Sequence, residues 1–309
     1  MENLNQEIVP SLSSEIRRLA EEQDAVILAH YYVDGAIQEV ADYVGDSYYL
    51  AKVAREVPNK TIVFAGVTFM GESACILNPD KTVLMPDMEA VCPMALMVDP
   101  EEIAKVRAEY DDLAVVCYIN SMAATKELVD VCVTSSNALK IVQNLPQKNI
   151  YFIPDQNLGS WIAQQIPEKN FIFGKGYCHV HHAIEPADVE AARAEHPGAK
   201  VLVHPECKLE VSNMADYVGS TSGIINYATE SEDREFIIAT EFGVGHELQK
   251  KNPDKKFWFI EKGYCSDMHR MNLGDVLNCL KNNAPKAVLD EGVRARAEKS
   301  LDKMLELAK

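Results

Sequence analysis

One unit recurs three times along the 309 residues, and that recurrence limits the fold more than any other feature of the chain. Three segments each begin with a proline and a helical pattern: Pro10-Ser-Leu-Ser-Ser-Glu-Ile, Pro100-Glu-Glu-Ile-Ala-Lys-Val and Pro186-Ala-Asp-Val-Glu-Ala-Ala. Proline suits a first helical position because its missing N–H has no partner there anyway. Each helix leads into a short apolar strand with a polar tip: Ala25 to Tyr32, Ala114 to Asn120 and Lys200 to Glu206. A second echo follows in Ala41-Asp-Tyr-Val-Gly-Asp-Ser47, Val129-Asp-Val-Cys-Val-Thr-Ser135 and Ala215-Asp-Tyr-Val-Gly-Ser-Thr221. Ser47, Ser135 and Thr221 are expected at or near helix N-caps, where orphan N–H groups and hydroxyls meet an anion.

Two further apolar runs complete each unit. Thr61–Ala65, Asn149–Ile153 and Glu235–Ala239 correspond, as do Lys81–Met85, Asn170–Gly174 and Lys256–Ile260. Continuous apolar strands alternating with helices predict parallel sheets covered on both faces. The expected fold is therefore α/β, with three homologous small domains around a pseudo-threefold axis. The units span residues 1–98, 99–184 and 185–271, and a helical segment follows over 272–309.

A cysteine stands just beyond the last strand of each unit: Cys92, Cys178 and Cys265. Cys178 follows Cys92 by 86 residues and Cys265 follows Cys178 by 87, which is the period of the repeat. Cys75, Cys117, Cys132, Cys207 and Cys279 have no such trio of counterparts. Ligands of parallel α/β sheets gather beyond the carboxyl ends of the strands, so three equivalent loops are expected to bring one thiolate each to the axis. Three thiolates with a fourth ligand such as histidine make a structural zinc site. They also hold a [4Fe–4S] cluster by three irons, leaving one iron open as a Lewis acid. Spacing alone leaves both metals open.

The strand tips carry the polar groups His30, Tyr118 with Asn120, and His204 with Glu206 in equivalent places, so they are candidate ligand-binding residues. The run His179-Val-His181-His182 sets alternate histidines on one face of an extended segment. Glu241-Phe-Gly-Val-Gly lacks the full dinucleotide fingerprint. A formal charge of −17 disfavours nucleic acid and anionic membranes as partners, although small anions remain open to a locally positive pocket. The start, Met1-Glu2-Asn3-Leu4, shows no leader pattern and no run reaches membrane-span length, so a cytoplasmic chain is expected. Its eight cysteines are then not a disulfide framework.

Several runs carry a family likeness: Ala29-His-Tyr-Tyr32, Ala41 to Ser47, Cys92-Pro-Met-Ala95, Tyr118-Ile-Asn120 and Thr134-Ser-Ser-Asn-Ala138. To these add Pro154-Asp-Gln-Asn-Leu-Gly159, Gly176-Tyr-Cys-His-Val-His181, His204-Pro-Glu-Cys207 and Gly219-Ser-Thr-Ser-Gly-Ile224. Over about residues 20–285 the chain resembles the quinolinate synthases. The resemblance implies a [4Fe–4S] cluster on Cys92, Cys178 and Cys265. It also implies condensation of iminoaspartate with dihydroxyacetone phosphate to quinolinate, with loss of phosphate and water, on the route to NAD. His30, Ser47, Tyr118, Asn120, Ser135, His204, Glu206 and Thr221 would bind the iminoaspartate-derived skeleton, with Tyr32 and His181 completing the pocket. Glu206 is the expected main base, with Tyr32, His30 and His204 around it. Iminoaspartate would come from L-aspartate oxidase. Some relatives carry a CxxCxxC array at the third cysteine; Cys265-Ser266-Asp267-Met268 does not, so a local redox disulfide is not expected here. The rival readings are another three-cysteine iron–sulfur hydro-lyase and a metal-stabilised α/β binding module without catalysis.

Overall fold

Twelve strands form in the computed structural model, which describes residues 2–309. The first four are β1 (Ala25–His30), β2 (Tyr43–Gly45), β3 (Thr61–Ala65) and β4 (Thr82–Leu84). The next are β5 (Leu113–Tyr118), β6 (Val131–Val133), β7 (Asn149–Ile153) and β8 (Asn170–Phe173). The last are β9 (Lys200–Val203), β10 (Tyr217–Val218), β11 (Glu235–Ala239) and β12 (Lys256–Phe259). They make three separate four-stranded sheets of identical order, β2-β1-β3-β4, β6-β5-β7-β8 and β10-β9-β11-β12. Every pairing within them is parallel. The expected α/β class and its three small parallel sheets are what the chain adopts.

The central strands are apolar between their polar ends because helices cover both faces. All six residues of β1 are buried, and so are the last five of β5. In the third repeat Val201, Val203, Ile237 and Ala239 form one cluster with Ile184, Val189, Val211 and Ile260. Cys207 is fully buried in that cluster, its thiol 3.7 Å from the Ala239 carbonyl. Burial, then the charges of Glu206 and Asp155, push that thiol well above the ordinary range.

The repeat extends to polar devices that hold each sheet in register. An aspartate just before the short edge strand accepts the N–H of a central-strand residue through its side chain: Asp42 from Ile27 at 2.8 Å, Asp130 from Val115 at 2.7 Å, Asp216 from Val201 at 2.9 Å. Its own N–H returns to that residue's carbonyl in each case. An arginine near the end of the helix that leads into the central strand grips the same aspartate: Arg17, Arg107 and Arg193, at 2.7, 3.1 and 3.8 Å. Exposed ion pairs of this kind contribute little by themselves, whereas an unpaired strand N–H costs about 1–3 kcal/mol. Asp130→Ala is therefore expected to destabilise the protein by about 1 kcal/mol or more, read as a lower denaturation midpoint, while Arg107→Ala moves it less. A third device is a lysine whose Nζ donates to carbonyls at or just past a helix carboxyl end. Lys81 reaches Ala54 and Val57, Lys169 reaches Leu145 and Gln147, and Lys255 reaches Ala228 and Ser231.

The chain divides into two compact units, residues 1–92 with 266–295, and residues 93–265 with 296–309. In the first, Lys281 on the helix Leu273–Asn282 pairs with Glu15 at 2.9 Å, and the Leu280 carbonyl accepts from Gln23. Residues 285–287 cover the outer edge of β4, with Met85 N–H on Pro285 and Ala287 N–H on Val83. That pairing removes an exposed strand edge. In the second unit Ser300 donates to the Lys126 carbonyl and lies 3.3 Å from the Cys132 thiol.

One expectation is corrected. Pro100 and Pro186 stand at helix starts, capped by Asp99 and Glu185, but Pro10 lies inside a helix that runs from Glu2 to Glu22. Glu2, Leu4, Gln6 and Glu7 favour helix and no glycine or second proline precedes Pro10, so the helix begins upstream of the proline.

Candidate active site

The polar strand tips are built alike. His30 ends β1, and the Tyr32 N–H donates to its Nδ1 at 3.2 Å. His204 follows β9, and the Glu206 N–H donates to its Nδ1 at 3.4 Å. An imidazole whose Nδ1 accepts carries its neutral-state proton on Nε2, so both rings are set as Nε2–H donors. Both are buried, at 5% and 3% exposure. The Tyr32 ring stands edge-on to His30 at 4.6 Å. In the second repeat Tyr118 and Asn120 take these two positions.

Within the second unit the groups converge on Glu206, which is 3% exposed. His181 Nδ1 lies 2.7 Å from its carboxylate and His204 Nδ1 3.9 Å from it. The two imidazoles stack at 4.7 Å, and the Tyr118 hydroxyl hydrogen-bonds to the carboxylate as well. Asn157 Nδ2 holds the Glu206 backbone carbonyl at 3.0 Å. Burial by itself would raise the Glu206 carboxyl, but His181, then His204 and Tyr118, outweigh it and hold it down at about 2. The other ring nitrogen of His181 meets the Thr240 hydroxyl at 2.9 Å.

His181 Nδ1 also lies 3.2 Å from Cys178 Sγ, so one donor atom from each of Cys178, His181 and Glu206 falls within 4.8 Å of the others. Such a set has the chemistry of a metal site. Two ligands of one tetrahedral ion, each about 2.0 Å from it, sit roughly 3.3 Å apart. The 2.7 Å separation of His181 and Glu206 is instead that of a shared proton. Glu206 and His181 are thus a proton-holding pair beside a thiol.

None of the eight cysteines is in a disulfide. Cys117, Cys132, Cys207 and Cys279 are buried, while Cys92, Cys178 and Cys265 are half-buried just past β4, β8 and β12. Cys75 is half-buried too, but burial, with Glu72, pushes its thiol up to about 12. Partly exposed thiols at matching strand ends fit a thiolate-held metal group better than the sealed ones do. Cys92 closes the first unit, and Cys178 and Cys265 belong to the second.

One local expectation is sharpened and one changes. Ser47, Ser135 and Thr221 stand near helix N-caps as expected, as neighbours of the capping residues. Asp46 accepts from Tyr49 N–H and Ser220 from Gly223 N–H, so Ser47 and Thr221 are first helical residues, while Ser135 lies two residues before the cap Asn137. Capping by the neighbours frees Ser47 and Thr221 from that duty. The run His179–His182 is one short helical turn, not an extended segment, because Cys178 serves as its N-cap residue. His181 is buried, whereas His182 stacks on Tyr177 at 4.4 Å and meets Asn157 at 3.1 Å. Beside Ser135, the Thr134 hydroxyl, the Asn120 Oδ1 and the Asn137 Nδ2 are buried atoms without a protein partner. Unpaired buried polar atoms in a native site await a ligand or water.

A family model for quinolinate synthetase A protein matches residues 14–306. The chain belongs to the quinolinate synthetase A family. Similar curated proteins include the quinolinate synthase of Fusobacterium nucleatum, 50% identical over 297 residues that cover 96% of this chain and 99% of that one. The quinolinate synthase of Clostridioides difficile is 49% identical over 298 residues, covering 96% and 98%. That of Caldicellulosiruptor bescii is 48% identical over 297 residues, again covering 96% and 98%.

The run Pro154-Asp155-Gln156-Asn157 carries only a family likeness in the sequence, yet the structure makes it the support of the site. Asp155 accepts the Cys178 N–H at 3.1 Å and caps the helix Gln156–Gln165 through Asn157 and Leu158. Burial, with the Glu206 charge, pushes the Asp155 carboxyl well up against three backbone N–H donors that oppose it. Thr240 carries no signal of its own in the sequence, and Glu241 stands out there only as the start of an incomplete dinucleotide pattern. Glu241 follows Asp155 by 86 residues, the spacing that singled out the cysteines, so the period itself held the signal.

Proposed function

We propose that this chain is a quinolinate synthase, condensing iminoaspartate with dihydroxyacetone phosphate to quinolinate with loss of phosphate and water, in the cytoplasm and on the route to NAD. Family membership over nearly the whole chain supports this, and the buried Glu206–His181–His204–Tyr118 cluster is the observation that carries the chemistry. Cys92, Cys178 and Cys265 are the proposed ligands of a [4Fe–4S] cluster. When bound, that cluster supplies a Lewis-acidic iron with an open position.

The remaining roles fall to the protein. Nε2–H of His30 and of His204, the Tyr118 hydroxyl and the Asn120 amide bind and orient the carboxylates and carbonyl of the substrates. The hydroxyls of Ser47, Ser135 and Thr221 hold anionic oxygens. Glu206 acts as base together with His181: its carboxylate is ionised at any working pH and too weak a base to keep a proton alone. His181 Nδ1–H fills the 2.7 Å contact and steadies the ionised carboxylate, so the proton Glu206 draws from the substrate is held briefly and returned to a departing oxygen. Tyr32 serves as a second proton donor beside His30. Iminoaspartate is supplied by an aspartate-oxidising enzyme, L-aspartate oxidase in the proposed coupling.

Anaerobic purification followed by iron and sulfide counts and a quinolinate assay with the two substrates tests this. Brown protein that forms quinolinate supports it. A colourless, iron-free chain, or an iron–sulfur protein that makes no quinolinate, overturns it in favour of a binding module or a hydro-lyase.

A further inference from the structure

In the second and third repeats the cysteine loop rests on a seat made by the tip of the neighbouring strand. Gly176 and Gly263 stand two residues before Cys178 and Cys265, and each backbone presses on that tip. A Cβ at Gly176 would come 2.7 Å from the Pro154 carbonyl, and one at Gly263 would come 2.3 Å from the Thr240 carbonyl. The backbone bond that follows is the same in both: Gln156 N–H to Gly176 at 2.9 Å and Phe242 N–H to Gly263 at 2.8 Å. Beside each pressed carbonyl stands a buried carboxylate, Asp155 at no exposure and Glu241 at 1%.

Each carboxylate takes the N–H of the cysteine itself, Asp155 from Cys178 at 3.1 Å and Glu241 from Cys265 at 3.4 Å. The other oxygen is tied to the carboxylate's own turn, Asp155 by the Asn157 and Leu158 N–H groups and Glu241 by the Gly243 N–H at 2.6 Å. A carboxylate anchored at one end and holding the cysteine N–H at the other leaves the Cα–Cβ bond of that cysteine little freedom. The first repeat is built differently. Its loop has the equivalent bond, Thr68 N–H to Ala90 at 2.8 Å, but Ala90 replaces the glycine and Val67, with no acceptor, replaces the acid.

From this we infer that Asp155 and Glu241 are positioning residues of the metal centre: they commit the backbone N–H groups of Cys178 and Cys265 and so fix the direction of two of the three thiolates. The inference rests on the proposed thiolate-held cluster. It carries an electronic consequence that a purely structural role lacks. A cysteine N–H released from its carboxylate becomes available to a cluster sulfur, and N–H donation to a cluster sulfur raises the reduction potential. Loosened thiolates also release metal more readily, and outer-shell partners of this kind typically govern metal retention by roughly 10–100-fold.

The test compares Asp155→Asn and Glu241→Gln with the wild-type chain, purified without oxygen, in iron and sulfide content, rate of iron loss to a chelator and midpoint potential of the cluster. Asparagine keeps a capping oxygen, so the helix start survives the first change. Both variants are expected to bind the cluster, to lose iron roughly 10–100-fold faster, and to shift to a more positive potential. The shift amounts to at least a tenfold change in the reduction equilibrium, about 59 mV for one electron. Asp99→Asn, at the cap of the helix Pro100–Glu109, should leave both readouts unchanged. Should Asp155→Asn fail to fold, Glu241→Asp decides by the same readouts, because it keeps the charge and shortens the reach by one methylene. Variants that equal the wild type in potential and iron loss overturn the inference alone. A wild-type chain without iron and sulfide overturns the proposed function and this inference with it.

Discussion

Cys178→Ser should leave a folded chain that holds less than about a tenth of the wild-type iron and makes no measurable quinolinate, a loss beyond the roughly 10–100-fold of outer-shell changes. Serine is close in size and half-exposed at this position, so the fold has no reason to suffer. What it lacks is a thiolate at working pH, and two remaining thiolates do not retain a cluster that three hold. Cys207→Ser is the informative contrast. That side chain is sealed among Val201, Val203 and Ile237, so a hydroxyl there costs about 1–3 kcal/mol of stability and leaves iron untouched. Iron counts and thermal denaturation on the two variants give opposite patterns. Equal iron in Cys178→Ser and wild type would remove this residue from the metal centre.

Glu206→Gln is expected to lower kcat by about 10²–10⁴-fold while iron and sulfide stay at wild-type levels. The amide keeps the shape and one acceptor for His181, but it takes up no proton. Acid stability supplies an independent reading. The Glu206 carboxyl is held at about 2 in the folded protein, below the ordinary value of about 4.3 for glutamate. Its contribution is therefore complete above about pH 4.3 and is lost as the pH falls toward 2, so the glutamine variant should lose less stability than wild type across that window. Denaturation midpoints between about pH 5 and 2, with single-turnover rates at neutral pH, check both statements. Full turnover in a cluster-loaded glutamine variant would take the base assignment away from this residue.

The sequence was legible wherever one physical rule acts on many residues at once. The apolar runs Ala25–Ala29 and Ala114–Cys117 mark central strands because both their faces are covered, and the structure pairs them as expected. The same period that located the cysteines located the tips with His30, Tyr118 and His204. It failed for groups whose role depends on one contact. Nothing in Asp155 announces that its carboxylate reaches the N–H of Cys178, 23 residues away, and Asn157 meets Glu206 across 49. Pattern places Ser47 and Thr221 near helix caps but does not choose between neighbours, and the structure gives the capping to Asp46 and Ser220, which are equally good caps. Pro10 shows the limit of a local punctuation rule, since the residues before it favour helix as well.

The arginine–aspartate clamp and the lysine at each helix end occur three times with the same residue types, while the strand tips a few residues away pair His30 with Tyr32, Tyr118 with Asn120 and His204 with Glu206. Foldability and chemistry are thereby lodged in different residues. A chain organised in this way tolerates innovation at its tips, because a new side chain at position 30, 118 or 204 leaves the joints of its own sheet intact. Threefold origin and one-off catalysis coexist for that reason, and each copy serves as a built-in comparison for the other two.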